Sequence, residues 1–272
     1  MATITNPSSA NVQMSNSRNI TRQSGMAKFF TDLKYLWLEQ ILEVRAVWYL
    51  YLTFSVLLPF AMIFGFTRMG SGLRDYNSLL YIITGASIFA VTNDGLYTLA
   101  VRMTTMKKEG MLLYYASLPI SKIAFVMAII LSRLVITLPG MLISIFGGLA
   151  MYGAELNFSL WIVVVLVITA LALSSIGMAL GALVDNVEVI QVVSNVLLFV
   201  LIMAAPVFIP YDALPLPLQL ASYLFPPTYA AAALRLALSG NIGPEFYGHI
   251  AVLLAMTVVS FAILNRWIRW RV

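Results

Sequence analysis

Long apolar stretches alternate with short polar ones along most of this chain. A helix that crosses a bilayer needs about 20 mostly apolar residues, and six stretches meet that requirement. They are residues 46–66, 78–101, 123–152, 159–183, 188–208 and 247–265. The pattern therefore predicts an all-α integral membrane protein with six transmembrane helices. An even number of crossings would place both ends of the chain on the same side.

Proline is concentrated between the fifth and sixth spans, in sequence that is otherwise apolar. Seven of the eleven prolines fall between Ala204 and Phe246. Proline lacks a backbone N–H and clashes with the preceding helical turn, and broken backbone at membrane depth must be covered by protein or by a water-filled cavity. We expect a re-entrant outer hairpin here, a feature typical of transport proteins. The predicted breaks are at Pro206, Pro210, Pro215, Pro217, Pro226 and Pro227.

The segment before the first span has the periodicity of an amphipathic helix. Apolar residues recur every three to four residues and form a stripe along one side of the predicted helix. The charged residues lie away from that stripe. We expect a helix along the inner membrane surface; an inward extension of the first span is the alternative. Residues 1–25 have no apolar run, which predicts a disordered cytoplasmic tail before a permease domain at 26–272. The stripe consists of Phe29, Phe30, Leu33, Trp37, Ile41 and Val44.

The composition agrees with a membrane protein and argues against an enzyme. Hydrophobic residues make up 61% of the chain and charged residues 10%, against about 45–50% and about 25% in soluble domains. The lack of cysteine excludes disulfides and thiolate metal sites. His249 is the single histidine, so a His-based metal site or catalytic triad is not expected. No lysine follows a glycine, which excludes a phosphate-binding G-x-x-x-x-G-K-[ST] loop.

The basic residues predict the orientation. With the termini inside, the inner segments carry twelve Lys and Arg and the outer segments three. Cytoplasmic loops are the ones enriched in these residues, so both termini should be cytoplasmic. This placement accounts for the net charge of +5 without a nucleic-acid partner. The inner residues are Arg18, Arg22, Lys28, Lys34, Arg45, Arg102, Lys107, Lys108, Lys122, Arg266, Arg269 and Arg271, and the outer ones Arg68, Arg74 and Arg235.

Two charged residues lie inside the predicted spans. Asp94 is seven residues from the inner end of the second span and Arg133 ten residues into the third, which corresponds to depths of about 10 and 15 Å. Charges in hydrocarbon are usually paired or functional. We expect a structural ion pair; direct contact with a substrate is the alternative. Gly177 and Gly181, four residues apart in the fourth span, favour close packing against another helix.

The inner loop after the second span is the most distinctive polar segment. Glu109 and Gly110 are followed by the apolar and aromatic run 111–118, and Pro119 follows that run. A short helix of this kind exposes apolar surface in the cytoplasm, which favours a protein partner. The alternative is a helix that lies flat on the lipid headgroups.

At this point the chain resembles the permease subunits of the type-2 ABC exporter family. Four features carry the resemblance over residues 26–272: the amphipathic first helix, the loop after the second span, the acidic turn 184–188 and the broken outer hairpin that ends in PPTYAAAALR. Pro227, Tyr229 and Arg235 fall near the family's hairpin pattern, although Pro226 stands where Asn is commoner. The long outer loop that some members have between the first two spans is absent, so the resemblance is to the small exporters.

The resemblance implies a homodimeric permease in the plasma (inner) membrane, with two copies of a separate ATPase subunit that holds ATP and Mg. This chain would hold no cofactor itself. The implied coupling loop comprises Glu109, Gly110, Leu112, Leu113, Tyr115, Leu118 and Pro119. The substrate would be amphipathic, lipid-like, drug-like or glycan, and would pass between subunits along the second and fifth spans. Residues there that could face it are Asn93, Tyr97, Gln191, Asn195 and Phe199.

Two other classes of function remain open at this point. A stand-alone secondary transporter would favour inverted repeats and buried acidic residues, and neither is clear in the sequence. An intramembrane enzyme would need catalytic residue types that are scarce here. Dependence of transport on an ATPase partner would exclude both alternatives.

Overall fold

The computed structural model describes residues 25–69, 76–153, 159–208, 211 and 214–267. The predicted tail, residues 1–25, lies outside these ranges except for Gly25, where the first helix begins. All regular elements in the described ranges are helical. They are α1 (Gly25–Val44), α2 (Trp48–Met69), α3 (Tyr76–Thr92), a π-helical stretch (Asn93–Thr98), α4 (Leu99–Lys108), α5 (Met111–Ser117), α6 (Lys122–Met151), α7 (Leu160–Leu183), α8 (Val187–Ala204), α9 (Leu216–Ser222), α10 (Pro226–Leu238) and α11 (Pro244–Trp267).

Five helical segments are long and apolar enough to cross a membrane, and they correspond to the first four predicted spans and the sixth. The fifth predicted span is represented by α8, a shorter apolar helix. Its 18 residues extend about 27 Å, slightly less than the hydrocarbon core of about 30 Å. A sixth crossing therefore stays a prediction. The five segments are Trp48–Arg68, Ser78–Lys108, Lys122–Met151, Leu160–Leu183 and Pro244–Arg266.

The central helix of the bundle is α7. It packs against α4, the π-helical stretch, α6, α10 and α11. Its two glycines lie where the backbones approach: a Cβ on Gly177 would overlap the carbonyl oxygens of Gly95 and Leu96, and one on Gly181 would overlap that of Ala100. The predicted close packing at these glycines is confirmed. In contrast, α2 and α11 carry rows of exposed apolar side chains.

The first helix is separate from the first span. A turn at residues 45–47 divides α1 from α2, so α1 is not an inward extension of that span. Its buried side, which packs on α6, includes most of the predicted stripe. Phe30 is an exception because it is 61% exposed, whereas Leu36 and Gln40 are buried although the pattern did not select them.

The proline-rich segment consists of short helices joined by turns. After α8 ends, the chain turns at residues 205–207, and the next helix, α9, begins after Pro215. Pro226 and Pro227 do not interrupt a helix, because they occupy the first turn of α10, where a missing N–H costs no hydrogen bond. Pro217 likewise lies in the first turn of α9, and Pro210 lies outside the described residues. That this segment dips into the membrane stays a prediction.

Candidate functional site

The predicted coupling loop forms a short helix at the end of the bundle where α4 ends and α6 begins. Gly110 has a φ of 74°, a left-handed conformation that glycine adopts without strain, and it turns the chain from α4 into α5. On α5, Leu113 and Tyr114 are 63% and 62% exposed. The loop therefore presents an apolar surface that no described residue covers. Glu109 and Pro119, at the two ends of the loop, are also exposed.

Tyr115 faces the interior of the chain. It is 4% exposed, its hydroxyl donates a hydrogen bond of 2.7 Å to Oε1 of Glu39 on α1, and its ring centroid lies 4.7 Å from that of Phe125 on α6. Burial, together with the hydrogen bond to Glu39, raises the pKa of Tyr115, so the phenol remains a donor. Leu112 and Leu118 pack partly against the same core. Tyr115 therefore fixes α5 to two helices, and the exposed residues are left to meet a partner.

Two basic side chains of α4 connect this end of the bundle. Arg102 donates hydrogen bonds of 2.6 Å to Oε1 of Gln40 and Oε2 of Glu43 on α1. Lys107 forms an ion pair with Asp185 and donates a 2.9 Å hydrogen bond to the carbonyl of Ala182 at the end of α7. From the sequence, both residues indicate only the orientation of the chain. Their partners lie 59 to 78 positions away and could not be identified from it.

The acidic turn between α7 and α8 is shaped by a helix cap. Oδ1 of Asn186 accepts hydrogen bonds from the backbone N–H groups of Glu188 (2.8 Å) and Val189 (3.4 Å). Asparagine is among the preferred N-cap residues, and Glu188 in the first turn interacts favourably with the helix dipole. The turn thus starts α8 beside the end of α4, within reach of Lys107.

At the other end of the bundle, Arg235 of α10 holds the broken end of α8. Its Nη2 donates to the carbonyl oxygens of Pro206 (2.8 Å) and Val207 (2.6 Å). Its Nε donates to Oγ1 of Thr84 (3.2 Å), and its guanidinium carbon lies 3.8 Å from the ring centroid of Tyr81. The family pattern in the sequence includes Arg235 but assigns it no role. In the structure, Arg235 donates hydrogen bonds to the carbonyl oxygens that lose their helical partners where α8 ends.

A family profile for ABC-2 type transporters matches residues 31–238, which is more than half of the chain and contains both of these regions. The chain belongs to the ABC-2 type transporter family. Members of this family are transporter membrane domains that are not themselves catalytic and normally pair with an ABC ATPase. No curated protein gives a significant match to the chain. The predicted relationship to type-2 ABC permeases is therefore confirmed.

Within this ABC-2 permease, the predicted path residues lie in two separate places. Gln191, Asn195 and Phe199 occupy one exposed side of α8 at four-residue spacing. Asn93 instead lines a cavity between α2, α3 and α6 to which α8 contributes no residue. Tyr97, four positions further along, is partly buried. A single path that joins both groups stays a prediction.

The two intramembrane charges of the permease line the same cavity as Asn93. No N–O distance of 4 Å or less joins Asp94 and Arg133, so the predicted ion pair is not formed as a direct contact. Oδ2 of Asp94 accepts a 2.7 Å hydrogen bond from the hydroxyl of Thr137, and the guanidinium carbon of Arg133 lies 4.9 Å from the ring centroid of Tyr51. Among the described residues, no cluster of three or more His, Asp and Glu could hold a metal ion.

Proposed function

We propose that this chain is the membrane subunit of an ATP-driven exporter in the plasma (inner) membrane. It moves an amphipathic substrate, lipid-like, drug-like or glycan, with energy from two copies of a separate ATPase subunit. The observation that carries the proposal is the exposed apolar surface of α5, a helix that is otherwise fixed to the rest of the bundle. Membership of a transporter family whose membrane domains normally pair with an ATPase supports the same conclusion.

In this proposal, α5 receives the movement of the ATPase. Leu113 and Tyr114 insert into a groove of the ATPase, which closes when it binds ATP and Mg. The movement passes from α5 through Tyr115 and its hydrogen bond to Glu39 into α1. From α1 it reaches α4 through the bonds of Arg102 to Gln40 and Glu43, and the segment that contains α4 is a candidate span.

The exposed side of α8 is the proposed contact between two permease subunits. Val192, Val196, Phe199 and Met203 are 57–67% exposed. A row of apolar side chains at this spacing faces either lipid or a second copy. Gln191 and Asn195 lie on the same helix, so the exposed side of α8 is partly polar and partly apolar. In a homodimer, an amphipathic substrate passes along this surface.

The test compares two double variants in a co-purification with the ATPase. Leu113→Ala with Tyr114→Ala removes the exposed pair of α5. Truncation of an interface anchor commonly costs about 2 kcal/mol or more, so we expect roughly a thirtyfold loss of ATPase affinity together with loss of transport. The matched control is Tyr35→Ala with Leu38→Ala, which removes the same residue types from the exposed side of α1; it should leave ATPase recovery unchanged.

Two results would contradict the proposal. Undiminished ATPase recovery with normal transport in the α5 variant would mean that α5 lies on the membrane without a partner. Transport by the purified chain without ATP would indicate a stand-alone secondary transporter. Size-exclusion chromatography of each variant establishes whether the permease itself remains folded and dimeric.

A further inference from the structure

A cavity inside the bundle contains two charged side chains that do not touch each other. Its volume is about 320 Å³, and it lies between α2, α3, the π-helical stretch and α6. Arg133, which is 5% exposed, and Asp94 both line it. Charged groups inside a membrane protein are costly unless they pair. Asp94 and Arg133 lie close enough to attract each other but are not joined by a direct contact, so the guanidinium donors and most acceptor sites of the carboxylate are open to a ligand.

The guanidinium of Arg133 is the cationic group of the cavity. It has five N–H donors, and no described residue accepts a hydrogen bond from it; its contact in the structure is with the ring of Tyr51. Contact with an aromatic face does not use the in-plane donors of a guanidinium. The planar fork of these donors matches the oxygens of a phosphate or a carboxylate.

Asp94 supplies the opposite charge. One of its oxygens accepts the hydrogen bond from Thr137, whereas an ionised carboxylate has about four acceptor sites. The remaining sites can accept from a donor such as a primary ammonium group. One cationic and one anionic side chain in one cavity are complementary to a ligand that carries both charges itself.

An apolar groove lies next to the cavity. It has a volume of about 440 Å³, and Ile136 lines both spaces. The other lining residues are Ile41 and Val44 of α1, Arg45 in the turn after it, Trp48 and Leu52 of α2, and Val135 and Pro139 of α6. A polar cavity beside an apolar groove fits a molecule with a charged head and an aliphatic tail.

We propose that this cavity binds the headgroup of a zwitterionic amphiphile. The phosphate or carboxylate of the ligand binds Arg133, its primary ammonium binds Asp94, and its tail lies in the apolar groove. Lipids with a phosphoethanolamine headgroup have this chemistry. The inference goes beyond the proposed function, because such a site exists whether its ligand is transported or remains bound as a structural or regulatory lipid.

The test measures which lipid the purified full-length protein retains. Phosphatidylethanolamine and phosphatidylglycerol with identical acyl chains are added in equal amounts in detergent, and bound lipid is counted by native mass spectrometry. We expect about a tenfold preference for phosphatidylethanolamine in the unaltered protein. Arg133→Gln should lose retention of both lipids about tenfold. Asp94→Asn should abolish the preference, because only the contact with the ammonium is removed.

Two further variants separate the site from general effects of charge and folding. Leu58 lines the cavity and is 39% exposed, so Leu58→Trp should block it while Arg133 and Asp94 stay in place. If Arg133→Gln does not fold, the test rests on Leu58→Trp. The proposal is overturned if the Leu58→Trp variant retains as much lipid as the unaltered protein. Arg68→Gln removes an exposed arginine that lies over another ring and should change nothing.

The remaining outcomes are equally distinct. Equal retention of the two lipids by the unaltered protein would overturn the proposal. A loss of lipid retention in Arg45→Gln but not in Arg133→Gln would also overturn the proposal, since Arg45 lines only the groove. Because retention is measured without ATPase, failure here leaves the proposed transport function intact.

Discussion

Replacement of Arg235 by methionine tests whether one side chain holds the broken end of α8. Methionine keeps an unbranched apolar side chain but has no donor. The carbonyl oxygens of Pro206 and Val207, which now accept hydrogen bonds from Arg235, would have no donor in the observed arrangement. Both of these residues are buried, so water does not readily replace the lost donor.

The size of the effect follows from the number of groups left unpaired. Each buried acceptor without a partner costs about 1–3 kcal/mol, so two of them cost about 2–6 kcal/mol. Thr84 adds little, because its hydroxyl also donates to the carbonyl of Leu80 at 2.6 Å. Arg235 is only partly buried, which places the expected loss of unfolding free energy in the lower part of the range, at about 2–4 kcal/mol.

The assay is equilibrium unfolding in mixed micelles with increasing SDS, compared for Arg235→Met and Arg68→Met. Arg68 also lies over an aromatic ring, at 5.0 Å from the centroid of Phe64, but it is exposed and has no hydrogen-bond acceptor among the described residues. Its replacement should cost no more than about 0.5–1 kcal/mol. Equal losses in the two variants would refute the claim that the carbonyl contacts matter.

Two further predictions concern the arrangement of the helices. Since the chain has no cysteine, a cysteine at Ser117 should react with a membrane-impermeant thiol reagent only from the cytoplasm and one at Ser239 only from outside; reaction of both from one side would contradict the predicted orientation. Alanine at Gly177 or Gly181 should lower the free energy of unfolding in detergent by about 1–3 kcal/mol through overpacking. The control Gly248→Ala meets open space and should leave the free energy of unfolding unchanged. Equal stability of all three variants would refute the close contact.

The features that could be predicted from the sequence are those set by local patterns. Hydropathy located five of the spans, because hydrocarbon requires about 20 apolar residues in a row. The helix α5 followed from Gly110 and the apolar run after it. The spacing of Gly177 and Gly181 indicated where another helix approaches, although not which one.

The features that escaped prediction depend on residues far apart in the chain. The side of α5 that Tyr115 occupies is decided by Glu39, 76 positions earlier, so the sequence could not show that Tyr115 is an internal contact. The pairing of Lys107 with Asp185 spans a similar separation. A one-dimensional estimate of depth suggested an ion pair between Asp94 and Arg133, but it could not reveal the cavity that both residues line.

The π-helical stretch changes how the segment beyond it is oriented. A π-turn closes its hydrogen bond over five residues instead of four, so it accommodates one residue more than an α-turn. Each residue of an α-helix advances by about 100° around the axis. Every side chain of α4 therefore points about 100° away from the direction that the α-helical repeat of α3 would give it. Arg102 meets α1 and Lys107 meets the acidic turn in this rotated register. Loss of one residue between Asn93 and Thr98 is expected to turn both side chains by about 100° together.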